Sequence, residues 1–224
     1  MSDPADNSDH STPRVLLVDD HDLFRTGLRN LLEEQGVQVV GEFDNGTDAL
    51  RGVRELTPDV VVMDLNMPGI SGVEATRQIS MIAPLTRVLV LTISDQDADV
   101  MDAILAGACG YLLKDASITE LIQGIQSAAV GESLVSPTIA AKVLQRVRAS
   151  SASHREAELI QSELSDREIQ VLKLIANGKD NAMIAGELHI SPKTVKNHIS
   201  NILMKLQIDN RIQAAVYAVR SGIV

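Results

Sequence analysis

Short runs of apolar, largely β-branched residues punctuate the first half of the chain, and each ends on a polar side chain. Val15-Leu16-Leu17-Val18 leads into Asp19 and Asp20, Val60-Val61-Val62-Met63 into Asp64, Val88-Leu89-Val90-Leu91 into Thr92, and Tyr111-Leu112-Leu113 into Lys114. A run that is apolar at every position, without alternation, is the pattern of a strand buried on both faces, as in a parallel sheet. With a further run at 37–43, strands are predicted at 15–18, 37–43, 60–63, 88–91 and 110–113. Helical periodicity fills the intervals at 23–34, 47–56, 72–81 and 97–105, and returns at 118–129. Five strand–helix units predict an α/β fold, a doubly wound parallel sheet with right-handed crossovers and helices on both faces.

From Leu164 onward the pattern is wholly helical. Ser165-Asp166-Arg167-Glu168 has the form of a capping box, with Leu164 and Ile169 placed as its hydrophobic staple. Gly178 stops that helix and Asp180 caps the next, which reaches about Leu188. Ser191-Pro192 opens a third helix, because proline is pre-organised for the first helical position. Val195, Ile199, Ile202 and Leu206 then form a core-facing stripe, and a fourth helix spans 211–219. Four short helices with a Ser-Pro break before the third predict an all-α helix-turn-helix unit.

Between the two patterns, 132–163 reads as a linker that holds a helix near 138–147 and a flexible Ala-Ser-rich joint at 149–153. The expected organisation is an acidic, disordered tail at 1–13, an α/β domain at 14–131, the linker, and a helical domain at 164–224. Charge divides along the same boundary. Residues 1–135 balance at −14 and residues 136–224 at +4, so only the second half is expected to meet a polyanion. No apolar run approaches the roughly 20 residues of a membrane span, and the acidic start lacks the features of a secretory signal. Cys109 is the one cysteine, which excludes an intrachain disulfide and a cysteine-rich zinc cage. The cytoplasm is the expected compartment, with no membrane partner.

Functional groups gather at the carboxyl ends of parallel strands, so the fold would assemble Asp19, Asp20, Asp64, Thr92 and Lys114 in one pocket. Three carboxylates, a hydroxyl and an ammonium suit a hard divalent cation and a phosphoryl group. Asp64 is the candidate nucleophile, since a carboxylate can accept a phosphoryl group as an acyl phosphate. Mg²⁺ would offset the repulsion between the two anions, with Asp20 and Asp64 as ligands, Asp19 through water, and the backbone carbonyl of Asn66 completing the set. Lys114 offers a point charge and Thr92 a hydroxyl to phosphate oxygens. A small-ester phosphatase built on an Asp nucleophile usually carries a second Asp two residues on as general acid. Asn66 stands there and cannot move the proton in that way, so an enzyme is not expected.

Val18-Asp19-Asp20-His21, Met63-Asp64-Leu65-Asn66-Met67-Pro68-Gly69 and Gly110-Tyr111-Leu112-Leu113-Lys114-Asp115 together resemble the signature of two-component receiver domains, which have the flavodoxin-like (βα)5 fold. The resemblance implies phosphorylation of Asp64 by a partner sensor histidine kinase. It also implies that Thr92 and the Tyr111 ring move together as a switch. Many receivers have proline after the lysine, where this chain has Asp115. Leu164-Ser165-Asp166-Arg167-Glu168 and the run from Ile190 to Ile199 resemble the LuxR-type helix-turn-helix, and the whole chain the NarL/FixJ class of response regulators.

The outward face of the third helix carries Lys193, Lys196, Asn197, Ser200 and Met204. Lys reads guanine acceptors and Asn pairs with adenine in the major groove, so Lys193, Lys196 and Asn197 are the base-contact candidates. Thr194, Asn201, Lys205 and Arg211 are placed for phosphates or helix ends. Ser200 lies where some family members carry a basic residue. The second helix opens Asp180-Asn181-Ala182-Met183, where the family usually has a Lys-Glu pair at the last two positions. So few base-reading side chains per half-site imply a homodimer on promoter double-stranded DNA, and a regulator of transcription would also meet RNA polymerase. The expected mechanism is that the unphosphorylated receiver restrains the recognition helix, and that phosphorylation releases it to dimerise and bind.

Overall fold

The computed structural model describes residues 12–132 and 164–224. The expected tail, apart from Thr12 and Pro13, and the expected linker, apart from Glu132, lie outside the described residues. Five parallel strands form one sheet: β1 (Arg14–Val18), β2 (Gln38–Phe43), β3 (Val60–Met63), β4 (Arg87–Thr92) and β5 (Gly110–Leu113). Their order across the sheet is β2-β1-β3-β4-β5, which sets β1 and β3 side by side at the centre. The register pairs Val18 with Met63 and Met63 with Val90, so Asp19, Asp64 and the end of β4 emerge at one edge.

Strand pleating explains why the runs are apolar throughout. Successive side chains point to opposite faces. Val15, Leu17, Val60, Val62, Leu89 and Leu91 pack with Leu28 and Leu32 of α1 (Asp22–Glu34) and with Leu121 and Ile125 of α5 (Ile118–Ala129). Leu16, Val18, Val61, Met63 and Val88 pack on the other face against α2 (Gly46–Leu56) and α3 (Gly72–Ile82), through Ala49, Val53, Ala75 and Ile79. Each fully buried aliphatic side chain contributes about 1.5–3 kcal/mol. α4 (Asp97–Leu105) joins the second face beside β4 and β5 through Val100, Ala103 and Ile104. Gly72 is the close approach that seats α3. A Cβ there would lie 2.0 Å from the backbone oxygen of Asp64.

The helical domain holds α6 (Asp166–Ala176), α7 (Asn181–Leu188), α8 (Pro192–Leu206) and α9 (Arg211–Arg220). Every start is capped by a side chain: Ser165 accepts from Glu168 N, Asp180 from Met183 N, Ser191 from Thr194 N and Asn210 from Gln213 N. The expected stripe Val195, Ile199, Ile202 and Leu206 is buried against Leu172, Ile175 and Ile184.

The two domains touch through α9, and Glu132 in addition lies 3.8 Å from Lys196 of α8. Ile212 and Val216 enter the cluster formed by α4, Val90 and Tyr111. Two carboxamides edge this seam. Asn210 Nδ2 donates to Ala108 O at 2.9 Å, and Gln213 Nε2 to Ile104 O at 3.0 Å. Their oxygens stay within the helical domain, accepting from Gln213 N and Asp209 N. The physical reason is the composition of α9. Ile212, Ala214, Val216 and Ala218 are all buried, and a helix apolar on more than one side needs a second surface.

Candidate functional site

The pocket sits where β1, β3 and β5 end. Asp19 is 5 % exposed and Asp64 2 %, while Asp20 is more open. Lys114 follows β5 and reaches back between two of these acids: its Nζ lies 2.6 Å from Asp19 Oδ2 and 2.7 Å from Asp64 Oδ2. The same ammonium stands 4.6 Å over the Phe24 ring. Burial alone would pull the Lys114 pKa down. Its hydrogen bonds to, and the charges of, Asp19 and Asp64 outweigh that and hold it above its ordinary value.

The Asp19–Asp20–Asp64 cluster keeps surplus negative charge, since among the described residues Lys114 is the one lysine or arginine within 4 Å of these carboxylates. Oxygens of Asp19, Asp20 and Asp64 and a nitrogen of His21 lie within 4.8 Å of one another. A cluster of hard oxygen donors with surplus negative charge fits Mg²⁺ better than a softer metal. His21 is engaged with the acids themselves: its Nδ1 is 2.9 Å from Asp20 Oδ1 and 3.2 Å from Asp19 Oδ1, and its backbone N–H donates to Asp19 Oδ1. Asn66 is exposed, and its N–H donates to Asp64 Oδ1 at 3.4 Å.

Thr92 is fully buried at the end of β4, where its hydroxyl oxygen accepts from Ser94 N at 3.4 Å. The Tyr111 ring is also fully buried, and its hydroxyl donates to Ser94 O at 2.8 Å. Burial, together with the nearby charge of Asp99, raises the Tyr111 pKa far above neutral pH, so the hydroxyl stays protonated and donating. Ser94 in turn hydrogen-bonds Asp99 in the first turn of α4. One loop thus joins Thr92, Tyr111 and α4.

Arg25 was not apparent from the sequence as a pocket residue. It donates to the Asp19 carbonyl and to Asp22, and its Nε lies 3.7 Å from Glu42. The available signal was an arginine at i−3 and i−7 from Leu28 and Leu32, on the apolar stripe of α1.

On α8, Lys193, Asn197, Ser200 and Asn201 are exposed, and Thr194 is half-buried beside Ser191. Lys196 is half-buried, and Glu132, the first residue of the expected linker, stands 3.8 Å from its ammonium. Lys205 points elsewhere: its Nζ donates to Glu168 Oε2 at 2.7 Å. Glu168, in the first turn of α6, is 3 % exposed and Lys205 supplies its countercharge, which is the helix-end contact among the alternatives expected for Lys205. Arg211 donates to Asn181 Oδ1 at 2.7 Å and to the Lys179 carbonyl, so it braces α7.

A buried Asp–Lys pocket at strand ends joined to a capped helix-turn-helix defines a class, and family comparisons agree. Residues 15–126 match the response regulator receiver domain, and residues 162–218 match the bacterial regulatory proteins of the luxR family. The chain belongs to the response regulators that join these two domains. It is 45% identical over 212 residues to the transcriptional regulatory protein LiaR of Bacillus subtilis, covering 94% of this chain and 99% of that one. Among solved structures it is similar to the response regulator ChrA of a heme-sensing two-component system, at 36% identity and a TM-score of 0.52 over 95% of this chain and 99% of that one. It is also similar to RcsB in a structure of two dimers bound to two parallel DNAs, at 26% identity and a TM-score of 0.55 over 93% and 98% of the respective chains. The protein is therefore a DNA-binding two-component response regulator of the LuxR family, a transcriptional regulator and not an enzyme. No described helix is long and apolar enough to cross a membrane.

Proposed function

We propose that Asp64 is the phosphoacceptor of a sensor histidine kinase and that its phosphorylation frees the helical domain to dimerise on promoter DNA. The observation that carries this reading is the Lys114 ammonium held between Asp19 and Asp64 at 2.6 and 2.7 Å. An Asp64 oxygen attacks the phosphorus of a phosphohistidine. The new O–P bond forms as the P–N bond breaks, and the imidazole leaves with the electron pair. Lys114 turns from Asp64 to the arriving phosphate oxygens, and Phe24 and Asp19 keep it within reach. Asp19, Asp20 and Asp64, with the Asn66 carbonyl, would hold Mg²⁺, which when bound neutralises the charge that otherwise repels the two anions. His21 and Arg25 position the acids by fixing the β1–α1 loop.

The response travels through Ser94. The Thr92 hydroxyl reorients toward the phosphate, and the loop that holds Tyr111 and Asp99 follows. Tyr111 packs in the same cluster as Ile212 and Val216, so its movement alters the surface beneath α9. The released α9 pairs with a second copy, while Lys193, Lys196, Asn197 and Ser200 face the major groove and Thr194 and Asn201 its edges. The bound dimer then meets RNA polymerase, in the cytoplasm.

Intact mass after incubation with Mg²⁺ and a small-molecule phosphodonor tests the first step. One phosphoryl adduct that requires Mg²⁺ and is absent in Asp64→Asn is expected. An adduct of equal yield in that variant overturns the assignment. Duplex binding equally tight with and without the phosphoryl group overturns the gating.

A further inference from the structure

We propose that His21 opens the strand-end pocket to a nitrogen-preferring divalent cation, Zn²⁺ or a neighbour of it in the transition series, held by Asp19, Asp20 and His21 in competition with Mg²⁺. This rests on the reading of the pocket as a cation site, and adds to it a ligand and a class of metal. The groups proposed for Mg²⁺, namely Asp19, Asp20, Asp64 and the Asn66 carbonyl, supply oxygens only. Carboxylate, carbonyl and water suit Mg²⁺, whereas imidazole suits Zn²⁺, Ni²⁺ and Cu²⁺. His21 brings one imidazole nitrogen into the same cluster, and the four groups lie within 4.8 Å of one another.

The ring is aimed at the acids and not at the helix it begins. His21 is the N-cap of α1, yet its side chain makes no capping hydrogen bond there. Its backbone N–H donates to Asp19 Oδ1 at 2.9 Å, and its Nδ1 stands 2.9 Å from Asp20 Oδ1 and 3.2 Å from Asp19 Oδ1. These are the spacings of neighbouring ligands on one ion. With metal–ligand bonds of about 2.1 Å, adjacent ligands lie about 3.0 Å apart in an octahedron and about 3.4 Å in a tetrahedron. Asp19 divides its oxygens between two tasks: Oδ2 meets Lys114 at 2.6 Å, while Oδ1 faces His21. A cation on the His21 side therefore leaves the lysine contact in place. The His21 side chain is 62% exposed and that of Asp20 29%, so an ion reaches this edge from solvent without opening the sheet. At that exposure water serves as the partner that a ligating histidine needs on its second ring nitrogen. Asp20 belongs to both ligand sets, so the two cations exclude each other. Zn²⁺ on His21 thus opposes phosphorylation of Asp64 by keeping Mg²⁺ out.

The test titrates the full, unphosphorylated chain by calorimetry with MgCl₂ and, separately, with ZnCl₂. Zn²⁺ is expected to bind about tenfold tighter than Mg²⁺ or better, and saturating Mg²⁺ to weaken it. His21→Gln is expected to lose about tenfold or more in Zn²⁺ affinity and to keep its Mg²⁺ affinity within about twofold, since losing even an outer partner of a metal ligand costs about 10- to 100-fold. The chain has 5 histidines, so the ring itself must report. In an imidazole ¹⁵N spectrum, one Nδ1 signal should move with Zn²⁺, stay still with Mg²⁺ and be missing from His21→Gln. Equal Zn²⁺ affinity in the native chain and His21→Gln, or an unmoved His21 signal, overturns the ligand. Zn²⁺ affinity untouched by saturating Mg²⁺ overturns the competition. Mg²⁺ binding without a preference for Zn²⁺ overturns this inference and leaves the Mg²⁺ reading standing, whereas binding of neither ion overturns both.

Discussion

Among the described residues two lysine–carboxylate clusters with buried acids stand out, one in each domain, and they differ in charge balance. In the helical domain one glutamate meets one lysine. Glu168 accepts from Lys205 and also from the backbone and hydroxyl of its N-cap Ser165. In the receiver, Lys114 stands between Asp19 and Asp64, with Asp20 and His21 adjoining. The first cluster is neutral and its hydrogen bonds are made within the fold. The second keeps a surplus of negative charge at a strand edge. Burying like charges destabilises the fold, so a surplus is retained where an outside cation and anion complete it. Net charge, more than burial or distance, separates a strut from a site.

The strongest way to break this comparison is to remove the strut. Glu168→Ala takes away a capping-box partner and leaves Lys205 unpaired, and should destabilise the helical domain by about 2–3 kcal/mol in urea unfolding, with the receiver transition unmoved. An unchanged helical transition would show that the balanced cluster is dispensable. Adding Mg²⁺ should do the converse. At about one hundred times its Kd it stabilises the receiver by about 2.7 kcal/mol and leaves the helical domain where it was, as calorimetry would read.

Titration separates the two clusters further. Burial would raise the Glu168 pKa, but the hydrogen bonds from Lys205 and Ser165 lower it below the ordinary 4.5. Its stabilisation is therefore present above 4.5 and is lost as pH falls through the lowered value. Lys114 runs the other way. Its pKa is raised above 10.5, so its stabilisation is complete below 10.5 and is lost as pH rises through the raised value. Unfolding followed across pH should show the Glu168 contribution lost from the helical domain in acid and the Lys114 contribution lost from the receiver in alkali. The smallest effect is expected from Asp20→Asn. Removing one surplus charge should stabilise the metal-free receiver by up to about 1 kcal/mol while weakening its response to Mg²⁺.

Much of this was legible in the sequence, for identifiable physical reasons. Runs apolar at every position, such as Val60 to Met63, announced strands covered on both sides, and Ser165, Asp180 and Ser191 marked helix starts within a residue. Asp19, Asp64 and Lys114 were brought together because strand-end placement follows from topology alone. Contacts that depend on how the domains meet were not legible. Asn210 reaches Ala108 across 102 residues, and Asn181 reaches Glu132 across 49. Lys205 was placed by sequence for a phosphate or a helix end, and its long stem lets the ammonium reach Glu168 in the first turn of α6. The missed signal for the domain seam was α9 itself, whose Ile212, Ala214, Val216 and Ala218 exceed one apolar stripe.

The α4–α9 seam also sets a concentration scale. A surface tethered to its binding partner on the same chain competes at an effective concentration of about a millimolar. A second copy of the protein at about a micromolar starts a thousandfold behind, a deficit of about 4 kcal/mol. On the proposed reading, in which phosphorylation frees α9 to pair with a second copy, the contacts of Asn210, Ile212, Gln213 and Val216 with the receiver would act as a threshold, and the number of protein copies in a cell would be as much a part of the signal as the phosphoryl group.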